Sequence, residues 1–303
     1  MNNPKSFSII IPHRGDTRLL AKLVSSIPDF NDIEVIIVDN TPLPISKKDI
    51  CANRDFDLFW SDPKRHAGGA RNVGIEQAHG KWLIFADSDD YFTQNAFDVF
   101  YKYLQSDADI IYFKAEGIYA DTGEWSDRAS GYTKLVERFC ENPATEMDLR
   151  LNYSVPWAKM LKTEFVNNGS FKYDEIRAGN DIYFSTITGY HAKKIEVCNE
   201  IVYMVTVTKG SLTKRKDYEV IKARLYSKLH CNQFLREKGL AHLQYSVMFA
   251  IPKSFRFGLR VFFEFLYMIA KFKQNPFVKC GNWLKTTKKN RIINSKEKKY
   301  IVK

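Results

Sequence analysis

Cysteine is sparse and scattered in this chain: five residues in 303, at positions 51, 140, 198, 231 and 280, with no Cys-x-x-Cys pair. An odd number at such separations suggests neither a zinc site nor a full disulfide framework, and fits reduced thiols. A signal peptide is missing too. Met1-Asn2-Asn3-Pro4-Lys5 leads directly into the strand-like residues 7–11, without a basic start or a long apolar stretch, so export is not expected and a cytoplasmic setting is. A spanning helix needs about 20 mostly apolar residues, and the candidate stretch 253–273 is interrupted by Arg260 and Glu264. No internal repeat or low-complexity segment precedes the tail. What remains is a chain with 45% hydrophobic residues, enough for one large domain with a C-terminal extension.

The formal charge of +11 is unevenly spread. Residues 253–303 hold 14 Lys/Arg against Glu264 and Glu297, and the first 252 residues are nearly neutral. An electrostatic partner is therefore local to the C-terminal fifth, with nucleic acid and an anionic membrane surface as the two candidates.

Apolar periodicity predicts strands at 7–11, 33–38, 56–60, 82–86 and 109–113, alternating with helices at 17–27, 67–78 and 95–104. That alternation predicts an α/β fold with a mostly parallel central sheet flanked by helices, in which ligands collect beyond the carboxyl ends of the strands. Two strands end there in acid. Residues 33–38 run into Asp39, and the apolar run Trp82 to Ala86 stops at Asp87-Ser88-Asp89-Asp90. Asp87 and Asp89, two apart, can aim at one spot, and two such carboxylates repel unless a cation lies between them; oxygen ligands suit Mg²⁺ or Mn²⁺. The same residues also suit a solvated turn ahead of the next helix.

Five motifs in order carry a resemblance: Ser-Ile-Ile-Ile-Pro at 8–12, Val-Asp-Asn at 38–40, Gly-Gly-Ala-Arg-Asn-Val-Gly at 68–74, Phe-Ala-Asp-Ser-Asp-Asp at 85–90 and Gly-Asn-Asp-Ile-Tyr-Phe at 179–184. Together, over about residues 6–215, they resemble the family 2 glycosyltransferases of the GT-A fold, of bacterial polysaccharide type. The resemblance implies inverting transfer of a sugar from a nucleotide diphosphate donor, with UDP the nucleotide it favours, to a glycan or lipid-linked acceptor. It places Pro12, His13, Asp39, Arg71, Asp87 and Ser88 around the donor, and Asp87 and Asp89 at a divalent cation. Asp181 becomes the base that takes the acceptor proton. Trp157, Lys159 and Asn180 fall on the acceptor side, and Lys209, Ser211 and Lys214 in a loop that closes over the diphosphate. Three places depart from the family pattern: His13-Arg14 stand where Tyr-Asn is common, Thr41-Pro42-Leu43-Pro44 follow where Gly-Ser is frequent, and Asn180 stands where Glu is common.

Beyond this catalytic domain at 1–215, residues 216–303 read as a helical, basic amphipathic extension. In 253–273 the charges at 253, 256, 260, 264 and 271 fall on one helical stripe, as in an interfacial helix. The tail beyond, with Phe277 and Trp283 among its cations, could bind anionic headgroups at the inner face of a cell membrane; nucleic acid is the less favoured partner. Two other functions compete: a sugar nucleotidyltransferase, for which His13-Arg14-Gly15-Asp16 is a poor phosphate loop, and an inert module whose tail grips nucleic acid.

Overall fold

The structure is a computed structural model and describes residues 4–52, 54–208 and 216–277. The chain divides into two compact units, residues 1–214 and 215–303.

The first unit opens with β1 (Phe7–His13), α1 (Thr17–Ser25) and β2 (Ile33–Asp39). Asp16 caps α1 by accepting from the Arg18 backbone N–H, which satisfies one of the free donors at the helix start. Then come β3 (Asp57–Trp60), α2 (His66–Gln77), β4 (Trp82–Phe85), β5 (Tyr91–Phe92) and α3 (Ala96–Lys102). The second half adds β6 (Ile110–Tyr119), β7 (Trp125–Ser126), α4 (Ser130–Glu141) and α5 (Glu146–Asn152). It finishes with β8 (Lys159–Lys162), α6 (Thr163–Asn168), α7 (Asn180–His191) and β9 (Ile195–Val207).

These strands form one sheet in the order β3-β2-β1-β4-β8-β6-β9-β5, with β7 paired to β6. The sheet is mixed. β1, β2, β3 and β4 pair in parallel, β8 runs antiparallel between β4 and β6, and β9 pairs in parallel with β6. Because β8 reverses twice, β6 and β9 share the direction of the first four strands, which leaves the sheet mostly parallel in direction. Every residue of β1, β2 and β4 is buried, as strands covered on both faces require.

Helix α2 lies close to the sheet. A Cβ added at Gly74 would stand 2.3 Å from Ile10 Cγ2, and one at Gly68 would stand 2.0 Å from the Asp174 carbonyl oxygen. Gly68 therefore serves close chain packing.

In the second unit, α8 (Tyr218–Glu237), α9 (Ala250–Ser254) and α10 (Leu259–Lys271) pack Ile221, Leu225, Leu229, Val247, Ala250, Phe265 and Ile269 into their own core. The single helix expected over 253–273 is broken. Gly258 adopts φ +95° between a 3₁₀ turn at Phe255–Phe257 and α10, a backbone state that glycine alone reaches readily. The break separates Lys253 and Arg256 from Arg260 and Glu264, so the single charged stripe is not formed. No helix among the described residues is long and apolar enough to cross a membrane.

Candidate active site

The parallel order of β3, β2 and β1 aligns the ends of three strands. His13 closes β1 and pairs in register with Asp39 at the end of β2. The Asp39 carbonyl accepts from Ser61 N–H, just past β3, at 2.9 Å. Pro12, one residue earlier, is buried against Val38. Asp39 holds its own loop: its carboxylate accepts from Thr41 N–H (3.2 Å), Thr41 Oγ1 (2.8 Å) and Ile45 N–H (3.0 Å). His13 is only 1% exposed, yet both ring nitrogens lack a hydrogen-bond partner, as does Ser61 Oγ. Burial holds the His13 imidazole below its ordinary pKa, against the pull of Asp39 and Asp16. A neutral ring can donate from one nitrogen and accept at the other.

The acidic turn follows β4. Tyr203, on β9, fixes it: its hydroxyl accepts from Asp87 N–H at 2.8 Å and bonds the Asp90 carboxylate. Asp90 is buried and its Oδ1 accepts from Thr206 N–H at 2.7 Å, a structural role. Asp89 is less well compensated. Burial and the neighbouring Asp87 charge push its carboxyl up to about 6, and its own backbone hydrogen bond and Arg128 only partly oppose them. Among the described residues no group of three or more His, Cys, Asp or Glu gathers as a metal cage. The chemistry of this turn nevertheless fits one divalent cation. Asp89 is destabilised as an anion by its surroundings and by Asp87, which a shared cation would relieve; other ligands would come from outside the protein. Ser88 lies between the two carboxylates, half-buried.

Arg71 ties this turn to the start of α7. Its side chain, 6% exposed, places one amino nitrogen 2.5 Å from Asp87 Oδ1 and the other 2.8 Å from Asn180 Oδ1. Burial works against the guanidinium charge, but Asp87, Tyr173 and Asp181 more than offset it. Asn180 also donates to the Ile176 carbonyl at 3.3 Å. The next residue, Asp181, begins the first turn of α7 and feels Arg71, Asp87 and Lys159 as neighbouring charges; burial is the largest influence and raises its pKa. Asp87, Arg71, Asn180 and Asp181 thus meet in one place, although Asp87 and Asp181 are far apart in sequence.

Two acceptor-side candidates prove to be buried. Lys159 is 2% exposed, and its Nζ donates to Ser185 Oγ (3.0 Å) and the Tyr153 carbonyl (3.3 Å). Burial brings its pKa down to about 7, with Asp181 pulling the other way. Trp157 lies in the core, stacked on Tyr203 at 5.7 Å and edge-on to Tyr132. It is therefore no open platform for a sugar ring: it backs the tyrosine that holds the acidic turn.

Two tyrosines were not foreseen from sequence. Tyr203 lies in a strand whose apolar alternation over 195–207 could have been read, but nothing local marks its bond to a turn 116 residues away. Tyr173 stacks on Phe184 at 3.9 Å, lies under Arg71, and is clamped by Asn72 through its backbone N–H (2.8 Å) and carbonyl (3.0 Å). Its buried hydroxyl has no hydrogen-bond partner. Lys209, Ser211 and Lys214 fall outside the described residues.

The mixed sheet, the acidic turn after β4 and the carboxylate at the start of α7 are arranged as the resemblance to the GT-A class implies. Residues 8–156, about half of the chain, match the model for "Glycosyl transferase family 2", and the first unit carries a glycosyltransferase domain of that family. The poly(ribitol-phosphate) β-N-acetylglucosaminyltransferase TarS of Staphylococcus aureus is 22% identical over 207 residues, 65% of this chain and 35% of TarS. The glycosyltransferase GlyG of Streptococcus pneumoniae is 24% identical over 235 residues, covering 72% of this chain and 75% of GlyG. This chain therefore spans about a third of TarS. Among solved structures, S. aureus TarS 1–349 in complex with UDP-GlcNAc aligns with a TM-score of 0.58 at 18% identity, over 88% of this chain and 80% of that one, a likeness of fold. The family decides against the nucleotidyltransferase and the inert module.

Proposed function

We propose that this protein transfers a sugar, with inversion, from a nucleotide diphosphate sugar to a hydroxyl of a glycan or lipid-linked acceptor in cell-surface polysaccharide synthesis. One observation carries the reading: Arg71 holds Asp87 and Asn180 together, which keeps Asp181, the next residue of α7, close enough to feel the charge of the acidic turn.

The orphaned nitrogens of His13 and the hydroxyl of Ser61 suit the donor and acceptor atoms of a nucleobase edge. Asp39 shapes the loop beside it. TarS, solved with UDP-GlcNAc, makes UDP-sugars the first donors to test. Asp89 and Asp87 are the residues that would hold Mn²⁺ or Mg²⁺; such an ion supplies positive charge for the departing diphosphate. Asp181 takes the proton of the acceptor hydroxyl as its oxygen attacks the anomeric carbon and the bond to the diphosphate breaks. Burial raises the Asp181 pKa, which strengthens it as a base toward a hydroxyl. Asn180 has a role of its own here: a neutral amide leaves Arg71 with Asp87 as its one directly bonded carboxylate.

The test is a thermal-shift screen of UDP-, GDP- and dTDP-sugars with and without Mn²⁺, since a ligand that binds only the folded state raises its melting temperature. A UDP-sugar that stabilises the protein more with Mn²⁺ supports the reading. No response to any nucleotide sugar contradicts it.

A further inference from the structure

The second unit turns large apolar side chains outward beside a group of cations. On α10, Phe265 and Ile269 face the unit's core, while Leu259, Phe263 and Tyr267, spaced four apart, are 66%, 63% and 66% exposed. Phe255, 52% exposed, extends this stripe by stacking on Phe262 at 4.2 Å, and Phe262 meets Phe263 at 5.4 Å. Exposed apolar side chains contiguous along one face mark an interaction surface.

Charge identifies the occupant. Residues 250–277 contain Lys253, Arg256, Arg260, Lys271 and Lys273 against Glu264 alone. Glu264 is already neutralised, by Lys222 at 2.7 Å and by the Tyr218 hydroxyl at 2.8 Å. Lys228 and Lys253 both lie over the Phe249 ring, at 4.6 and 5.1 Å. Lys253 has Arg224, Lys216 and Arg256 as repelling neighbours. Like charges thus gather around Lys253, two residues before Phe255, a setting that favours an anionic partner. Flat aromatic and aliphatic side chains flanked by lysine and arginine suit the boundary between lipid headgroups and acyl chains.

We propose that Phe255, Leu259, Phe263 and Tyr267 insert into an anionic membrane surface while Lys253, Arg256 and Arg260 bind its headgroup phosphates. The contacting face is therefore the aromatic side of α10, opposite its packed side, and the helix lies along the membrane.

The full chain is tested by co-sedimentation with vesicles of phosphatidylcholine alone and of phosphatidylcholine mixed with phosphatidylglycerol. Binding to the mixed vesicles only, weakening as salt rises, is expected. Phe263→Ser with Tyr267→Ser, both at exposed positions, lowers partitioning at least roughly tenfold with an unchanged melting temperature. Arg256→Glu with Arg260→Glu lowers it comparably and flattens the salt dependence. Wild-type binding by the Phe263/Tyr267 variant overturns the proposal, since the cationic residues after 277 would then carry the contact alone. So does equal binding to neutral vesicles. A dimer in light scattering that the same variant breaks assigns the face to a second copy, and a nucleic-acid mobility shift lost in that variant, without vesicle binding, assigns it to nucleic acid; both outcomes overturn the membrane proposal.

Discussion

Asp89 is the residue whose charge state most directly reports on the site. Its pKa in the folded protein, about 6, lies above the ordinary 3.8 because of burial and Asp87. A raised carboxyl binds its proton more tightly in the folded state, so its contribution to stability is present below pH 3.8 and is lost as pH rises through 6. Asp89→Asn should therefore be more stable than the wild type above pH 6 without divalent cation, by on the order of 3 kcal/mol, with the difference gone near pH 4. Mn²⁺ should raise the melting temperature of the wild type at pH 7.5 and leave the variant unmoved. Equal melting curves under all four conditions would remove Asp89 from the cation site. Arg71 allows a second test. Arg71→Lys keeps the charge but not the fork that reaches Asp87 and Asn180 together, so turnover should fall at least about tenfold in a transfer assay, with the fold retained by circular dichroism.

Elements bring these residues together, and they were unequally legible. The strands β1, β2 and β4 are mostly apolar because both faces are covered, with Ser8 and Glu34 hydrogen-bonded to each other inside them, and the sequence shows the acidic ends of β2 and β4 plainly. The antiparallel half is less regular: β5 and β7 are two residues each, and β8 follows Ala158 at φ +52°, so no period marks them. Buried Lys159 and Trp157 were misplaced for a related reason. A lysine and a tryptophan near a recognised motif suggest ligand contact, whereas packing consumes both. Tyr203→Phe tests the joint between β9 and the acidic turn. Losing the hydroxyl leaves Asp87 N–H and Asp90 each one partner short, at about 1–3 kcal/mol, measurable by urea unfolding, and donor affinity should weaken with it. At α2, Gly74→Ala should cost about 1–3 kcal/mol through Ile10. Gly68→Ala should cost more, since a backbone carbonyl blocks the added carbon.

At the scale of the molecule, sequence charge and structure divide the chain in the same sense: a first unit with 25 Lys/Arg against 30 Asp/Glu and a cationic second unit with its own core. The five motifs resemble the family in sequence alone, but motif order carries no information on distance. What the structure adds is the bridge from Asp87 through Arg71 to Asn180, which brings Asp181 within the field of Asp87 and Arg71. The most direct test of that bridge is the rate of sugar transfer by Asp181→Asn, measured alongside its UDP-sugar affinity. The account predicts turnover at least about a hundredfold lower with affinity within about twofold of the wild type. Undiminished turnover, or a loss confined to donor binding, would contradict it.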